Sequence, residues 1–208
     1  MSHRFADIAF TPTVKERQAR YGARDRCARM QEQGGPNDAL GEHERELLAR
    51  TESFFLATVS ETGWPYVQHR GGPPGFAQVL SPTRVAFADF RGNRQYVSVG
   101  NVAGDARAAI IVVDYAEGRR LKLLGRLRFT DARDADAALL RKVAPPSGYR
   151  AQIERVAQFD VAAFDWNCPQ HLPQWFSTAQ VGAIVEPLRA RIDALERRLR
   201  DAGIATAE

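Results

Sequence analysis

The chain predicts a mainly β protein with added helices, built on an antiparallel barrel that is closed or nearly closed. Strand-type runs come as hairpin pairs. Phe54–Val59 (FFLATV) returns as Trp64–Arg70 across the turn Ser60–Gly63, and Ala106–Tyr115 (ARAAIIVVDY) returns as Arg119–Thr130 across Glu117 and Gly118. Only one short helical segment, Gln95–Val102, interrupts this run of strands, and the long helical patterns stand at the two ends of the chain. Antiparallel hairpins in series with a single inserted helix fit a barrel better than a layered α/β sheet.

Taken in order, residues 1–12 read as an irregular arm. Thr13 and Glu16 form a capping box, which predicts one helix to about Gln33, where Gly34, Gly35 and Pro36 end it. That helix is charged with few apolar residues, so it belongs on a surface or against a partner subunit. A shorter helix over Glu42–Thr51 turns Leu47 and Leu48 inward. After the first hairpin, the run Gly71–Gly75 (GGPPG) breaks regular structure, and Val79, Leu80 and Arg84–Asp89 are further strand material. Asp131–Val143 reads as a helix, Tyr149–Ala157 as a second helical stretch, and Phe159–Trp166 as the last barrel strand. An irregular, aromatic segment follows to Phe176. The final helix, Val185–Ala202, carries Leu188, Ile192, Leu195 and Leu199 on one stripe. The expected organisation is an N-terminal arm and helix over 1–41, a barrel domain over 42–178, and a C-terminal helix over 179–208.

The 208 residues suffice for one sizeable core, and 44% hydrophobic with 26% charged residues is the balance of an ordinary globular chain. No apolar run reaches the roughly 18–20 residues that span a bilayer. The N-terminus has no apolar signal core, and Cys27 and Cys168 stand far apart without metal-type spacing, so the expectation is a cytoplasmic protein without a membrane segment. The net charge of +4 comes from arginines scattered among acids, with lysine only at 15, 122 and 142. No basic run or aromatic–basic ladder is present, which argues against nucleic acid and leaves a mild attraction for anionic small molecules.

The chemistry concentrates in Ala86–Gln95 (AFADFRGNRQ). A buried strand runs into a Gly-centred turn in which Arg91 and Arg94 flank Gly92 and Asn93, and a helix opens immediately after. Two guanidinium forks beside a helix N-terminus suit a phosphate-sized anion; a solvated hairpin with charges at its tip is the alternative. In Gln68–Gly72 (QHRGG), His69 and Arg70 face opposite ways, so only one of them can address a given site, while Gly71 permits close backbone approach or merely a bend. Cys168 and His171 are half of a zinc site with no second pair, so no metal is expected, and Pro169 between them makes a poor catalytic dyad. Together with Gln170 and Trp175 they read as an aromatic plug closing the barrel.

The ordered set FFLATV…GWPYVQHRGG, FADFRGNRQ, a short helix, and ARAAIIVVDY…RRLKLLGRLRF resembles the split β-barrel flavoproteins related to pyridoxamine 5′-phosphate oxidase. More narrowly, it resembles a branch of flavin-nucleotide-binding proteins with the signatures HRGGPPGF, FADFRGNRQ and NCPQH. The resemblance covers about residues 45–178. It implies a homodimer with FMN at the interface. The family's Ser-Arg-Lys phosphate turn falls on Asn93, Arg94 and Gln95, with Arg91 in a position to replace the missing lysine charge. Ala88 and Asp89 fall where the family contacts the flavin end, Arg120 on a flavin-contacting polar position of the next hairpin, and His69 or Arg70 with Gly71 along the isoalloxazine. Gln170, His171 and Trp175 fall on the substrate side.

The resemblance implies an FMN-dependent oxidoreductase acting with a small-molecule substrate or electron donor, in which the cofactor carries the chemistry and no side chain is assigned as a catalyst. A non-catalytic flavin-binding or redox-sensing module, or a relative carrying haem or F420, is the alternative. Two departures argue against vitamin B6 oxidation itself. The chain lacks the family's C-terminal Arg-Leu-His-like motif and its Arg-x-x-Leu-Leu-Lys strand, and it ends in a long helix instead. That helix is expected to serve as a dimerisation arm or to pack on its own barrel.

Overall fold

The computed structural model describes residues 2–167 and 170–203. Among them are seven strands forming one antiparallel sheet, in the order β2-β1-β5-β6-β7-β4-β3. The strands are β1 (Ser53–Val59), β2 (Pro65–Gly71), β3 (Gln78–Ser81), β4 (Arg84–Phe90), β5 (Arg107–Asp114), β6 (Arg119–Asp131) and β7 (Ile153–Asn167). The sheet curls so that Phe54, Leu56, Val85, Phe87, Ile110, Val112, Leu121, Leu123 and Phe159 meet in a single core. Alternate residues of β1, β5 and β6 supply it, as the two-residue period of a strand requires. The two ends of the sheet are not joined by a ladder among the described residues, which leaves the barrel split.

Six helices belong to the same compact unit: α1 (Arg4–Ala9), α2 (Pro12–Arg20), α3 (Arg24–Gln33), α4 (Glu42–Arg50), α5 (Val97–Gly104) and α6 (Ala137–Val143). α4 buries Leu47 and Leu48, and Glu44 closes its start by accepting from the Gly41 N–H at 2.7 Å. The other Glu44 oxygen accepts from the Trp166 indole N–H at 2.6 Å, so this one buried carboxylate ties the helix to β7. α6 covers a second, smaller cluster of Ala86, Ala88, Val143 and Val156 on the outer side of β4. β6 kinks at Leu124/Gly125, where a Cβ would lie 2.2 Å from the Asp160 carbonyl oxygen. Only glycine fits that approach.

Four sequence expectations need correction. The arm contains α1, because His3 caps it, its ring Nδ1 accepting from the Ala6 N–H at 3.3 Å. The expected helix 13–33 is two helices, since Gly22 adopts φ +67° between them and Thr11 with Pro12, rather than Thr13, starts the first. Tyr149–Ala157 is not helical: β7 begins at Ile153, because β6 offers it a thirteen-residue edge and strand pairing overrides a weak local preference. For the same reason β6 runs to Asp131, and α6 starts only after Asp136, whose carboxylate accepts from the Ala138 and Leu139 N–H groups at 3.0 and 2.9 Å.

The second compact unit comprises the turn Tyr115–Gly118 and residues 170–203. Trp175 stacks on Tyr115 with ring centroids 4.4 Å apart, and Gln174 donates to the Ala116 carbonyl at 3.2 Å. α7 (Thr178–Asp201) is capped by Ser177, whose hydroxyl accepts from the Gln180 N–H while the Gln180 side chain accepts from the Ser177 N–H. No described helix is long and apolar enough to cross a membrane.

Candidate functional site

The site lies in the split of the barrel, where the inner face of β2 approaches the end of β4. Arg70 on β2 donates through Nη1 to Asp89 on β4, and Arg155 on β7 donates to the other Asp89 oxygen at 2.7 Å. Asp89 is 2% exposed and the two arginine side chains 15% and 13%. An isolated buried carboxylate would be costly, and two guanidinium groups offset that cost. Burial opposes the charge of Arg155, but its bonds to Asp89 and then Glu154 outweigh it and hold its pKa above the ordinary value. The buried Arg70 Nε–H has no acceptor, which leaves one donor of the cluster unmatched at the cleft.

The wall opposite is the turn that leaves β4. Arg91 N–H bonds the Gln152 carbonyl at 2.8 Å, the last ladder-like contact before the chain departs. Asn93 Oδ1 then accepts from the Gln95 N–H at 3.2 Å, a local Asx-type closure. Arg94 and Tyr96 both take left-handed backbone, φ +61° and +55°, a conformation that costs a non-glycine residue about 1–2 kcal/mol. Tyr96 is the N-cap of α5 and makes no side-chain cap, so the helix presents its first N–H groups and positive dipole end toward the cleft. Ser98 in the first turn is buried and donates to Gln68 on β2 at 3.0 Å, and Asn101 donates to Thr58 on β1 at 3.0 Å. These two bonds fix the helix start against the barrel.

Tyr96 links the two walls. Its ring lies 4.8 Å from the Arg155 guanidinium carbon, and its hydroxyl accepts from Arg94 Nε at 3.2 Å. That bond raises the Arg94 pKa above its ordinary value. The resulting cleft encloses about 370 Å³, open to solvent, with Arg70, Arg94 and Arg155 against Asp89 and Glu154. Three cations against two carboxylates leave it net positive. Such a site suits a phosphate or another small oxyanion.

The structure brings Arg70, Asp89, Asn93, Arg94 and Gln95 together around this cleft. It takes others elsewhere. The Arg91 guanidinium turns to Gln152 at 3.2 Å and Glu154 at 3.8 Å, outside the cleft lining. Ala88, one residue from Asp89, faces the opposite side and packs under α6. Gly71 sits beside the His69 ring and the Glu52 carbonyl. His69 is on the outer face, edge-on to Phe55 at 5.6 Å. Arg120 pairs with Asn167 in the β6–β7 ladder, while Asp131 at the other end pairs with Arg155 of the cleft; eleven strand steps separate the two, roughly 35 Å along the strand. Gln170, His171 and Trp175 belong to the second unit, where His171 takes φ +62° and Trp175 is mostly exposed. Cys168 lies outside the described residues.

Tyr66, Gln68, Tyr96, Ser98, Glu154 and Arg155 join the cleft without having been singled out from the sequence. Tyr66 and Gln68 could have been found, since they share a strand face with Arg70 at two-residue steps. Arg155 could not, because its position depends on β7 beginning at Ile153 rather than on a helix.

The family model of pyridoxamine 5′-phosphate oxidase matches residues 40–165, more than half of the chain. No curated protein matches it in sequence. Among solved structures, HupZ of Group A Streptococcus is similar at 13% identity and a TM-score of 0.49, covering 66% of this chain and 99% of that one. An FMN-binding protein of Syntrophomonas wolfei is 12% identical with a TM-score of 0.46, covering 60% and 83%. An F420 reductase is 20% identical with a TM-score of 0.42, covering 61% and 98%.

Proposed function

The chain belongs to the pyridoxamine 5′-phosphate oxidase family, and from that premise we propose that it binds FMN as a homodimer and serves as an FMN-dependent oxidoreductase in the cytoplasm. The observation that carries this reading is the cationic cleft in the barrel split, with an uncapped helix start beside two left-handed residues. Arg94, Asn93 and the first N–H groups of α5 would hold the phosphate. Asp89 keeps the guanidinium groups of Arg70 and Arg155 in fixed orientation, so that part of the positive field costs no reorganisation when an anion enters. With Arg91 turned to Gln152 and Glu154, these two supply the charge for which Arg91 had been a candidate.

When bound, FMN supplies the hydride or electron chemistry. The protein's part is binding and electrostatics, since both carboxylates lining the cleft are engaged by arginines and offer no ready general base. That engagement equally favours a second reading, a flavin-binding module without turnover. A second copy is supported by the outer face of the sheet. Phe55, Val59 and Val67 are exposed there on adjacent strands, beside Trp64 at the hairpin turn. His69 and Arg120 lie on this same face, which gives them a route to the cofactor of a second copy rather than of their own.

The absorption spectrum of the purified protein, with mass identification of released cofactor, is the direct test. A two-band flavin spectrum that bleaches with a nicotinamide donor and recovers in air is the expected result. Bound FMN that no donor reduces favours the module, and F420, haem or no cofactor refutes the FMN reading. Arg94→Ala should weaken FMN binding by about 10- to 100-fold, the usual scale for one charge-assisted contact, while the protein stays folded. Unchanged affinity in a folded variant would overturn the phosphate assignment.

A further inference from the structure

α7 carries a heptad repeat that the barrel reading does not use. Val181, Leu188 and Leu195 stand at d positions, and Val185, Ile192 and Leu199 at a positions, continuous over three heptads. No α7 side chain is buried, and Val181, Leu188, Ile192, Leu195 and Leu199 are each between 38 and 60% exposed. The helix is also poorly favoured on its own terms. Pro187 inside it removes one backbone hydrogen bond, and Gly182 lowers propensity further. Both fall outside the seam, at c and e. A 24-residue helix with these defects depends on burying its stripe against something.

We propose that α7 pairs with α7 of a second copy of this chain as a parallel, two-stranded coiled coil. β-branched Val185 and Ile192 at a with Leu188 and Leu195 at d is the combination that favours two parallel strands. Charge points the same way. In the parallel arrangement Arg191 at g faces Glu196 at e of the other helix, and symmetry makes that attractive pair twice. An antiparallel arrangement, which packs Ile192 against Leu188 of the other helix and g against g, would set Arg191 against its own copy. Arg189 and Glu186, at e and b, make their pair within one helix at 3.5 Å and leave the seam unaffected. This inference stands on α7 alone and does not depend on what the cleft binds.

The test uses the full chain with Cys27→Ser and Cys168→Ser, into which Leu195→Cys is introduced at a d position or Arg197→Cys at the outward f position. Under oxidised glutathione, the Leu195→Cys chain should run mainly as a covalent dimer on a non-reducing gel, and the Arg197→Cys chain several-fold less so. Adding Ile192→Asp to the Leu195→Cys chain should abolish the cross-link. Far-UV circular dichroism with thermal unfolding checks that the barrel stays folded in each variant. A dimer that forms only between the barrels, an antiparallel pair, or α7 lying on its own barrel would each leave the Leu195→Cys chain monomeric on the gel. Any of these, or equal cross-linking of the two cysteine variants, overturns the proposal.

Discussion

Two aspartate–arginine clusters in this protein use the same side chains in opposite settings. Asp89 lies 2% exposed between Arg70 and Arg155 at the cleft. Asp105 follows α5 and binds Arg107, with Nη2–Oδ2 at 2.5 Å, but the arginine is 75% exposed. The first pair of contacts ties β2 to the paired strands β4 and β7, with neither of which it shares a ladder. The second joins residues two apart on one stretch of chain. The number of charge contacts is therefore a poor guide to importance here. Burial decides which cluster shapes the molecule, since an exposed pair is screened by water and salt and a buried one is not.

The sharpest way to break that comparison is to remove each aspartate in turn. Asp89→Ala leaves the buried Arg70 guanidinium without its carboxylate and Arg155 with Glu154 alone, and should destabilise the fold by about 3–5 kcal/mol in urea unfolding. Replacing the cluster as a unit, with Asp89→Leu, Arg70→Met and Arg155→Met together, should recover most of that loss, because apolar groups of similar volume need no partner. The expected triple variant is stable and binds FMN poorly. If Asp89→Ala proved as stable as the parent, the cluster would have no part in closing the split.

An intermediate effect separates holding a ligand from holding the fold. Arg94 sits in left-handed backbone at φ +61° and is exposed, so its conformation is unfavourable for the free protein. Arg94→Gly should keep its stability or gain up to about 1 kcal/mol, although it removes the guanidinium and with it the proposed phosphate contact. A thermal melt and an FMN titration on the same sample measure both. Stability lost together with binding would mean that Arg94 is a structural residue and that its strained backbone has no functional counterpart.

How far the sequence reached follows from which contacts are local. The basic turn was legible because Arg94, Asn93 and the start of α5 are neighbours in the chain, and the turn residues specify their own geometry. The facing of His69 and Arg70 was left open by the alternation rule and is resolved by pairing: Phe54 opposite Arg70 and Phe55 opposite His69 put only the arginine on the inner side. Ala88 and Asp89 were expected as a pair, yet one strand step sends them to opposite faces. Arg155 was out of reach, since it stands 66 residues from Asp89 and meets it only once β7 pairs with β4. The N-terminal helices were misjudged for a different reason. His3 caps α1 and bonds Gln31 through its backbone N–H at 2.7 Å, a contact across the chain that no local pattern announces.

The exposed cluster supplies the smallest effect and the cleanest sign. The Arg107 side chain, and then its backbone N–H, hold the Asp105 carboxyl down to about 2 from the ordinary 3.8. A carboxyl depressed in the folded state contributes stability that is fully present above 3.8 and is lost as the pH falls through about 2. Asp105→Asn should therefore lower the thermal midpoint only slightly at neutral pH, and the difference should shrink in 1 M NaCl, where the screening length is about 3 Å. A carboxyl-carbon NMR titration tests the cause directly. Arg107→Ala removes the side-chain contact but keeps the Arg107 N–H bond to Asp105 Oδ1 at 3.0 Å. The Asp105 midpoint should accordingly rise only part of the way toward 3.8. A midpoint that does not move would assign the depression to the backbone bond alone and remove Arg107 from the comparison with the buried arginines.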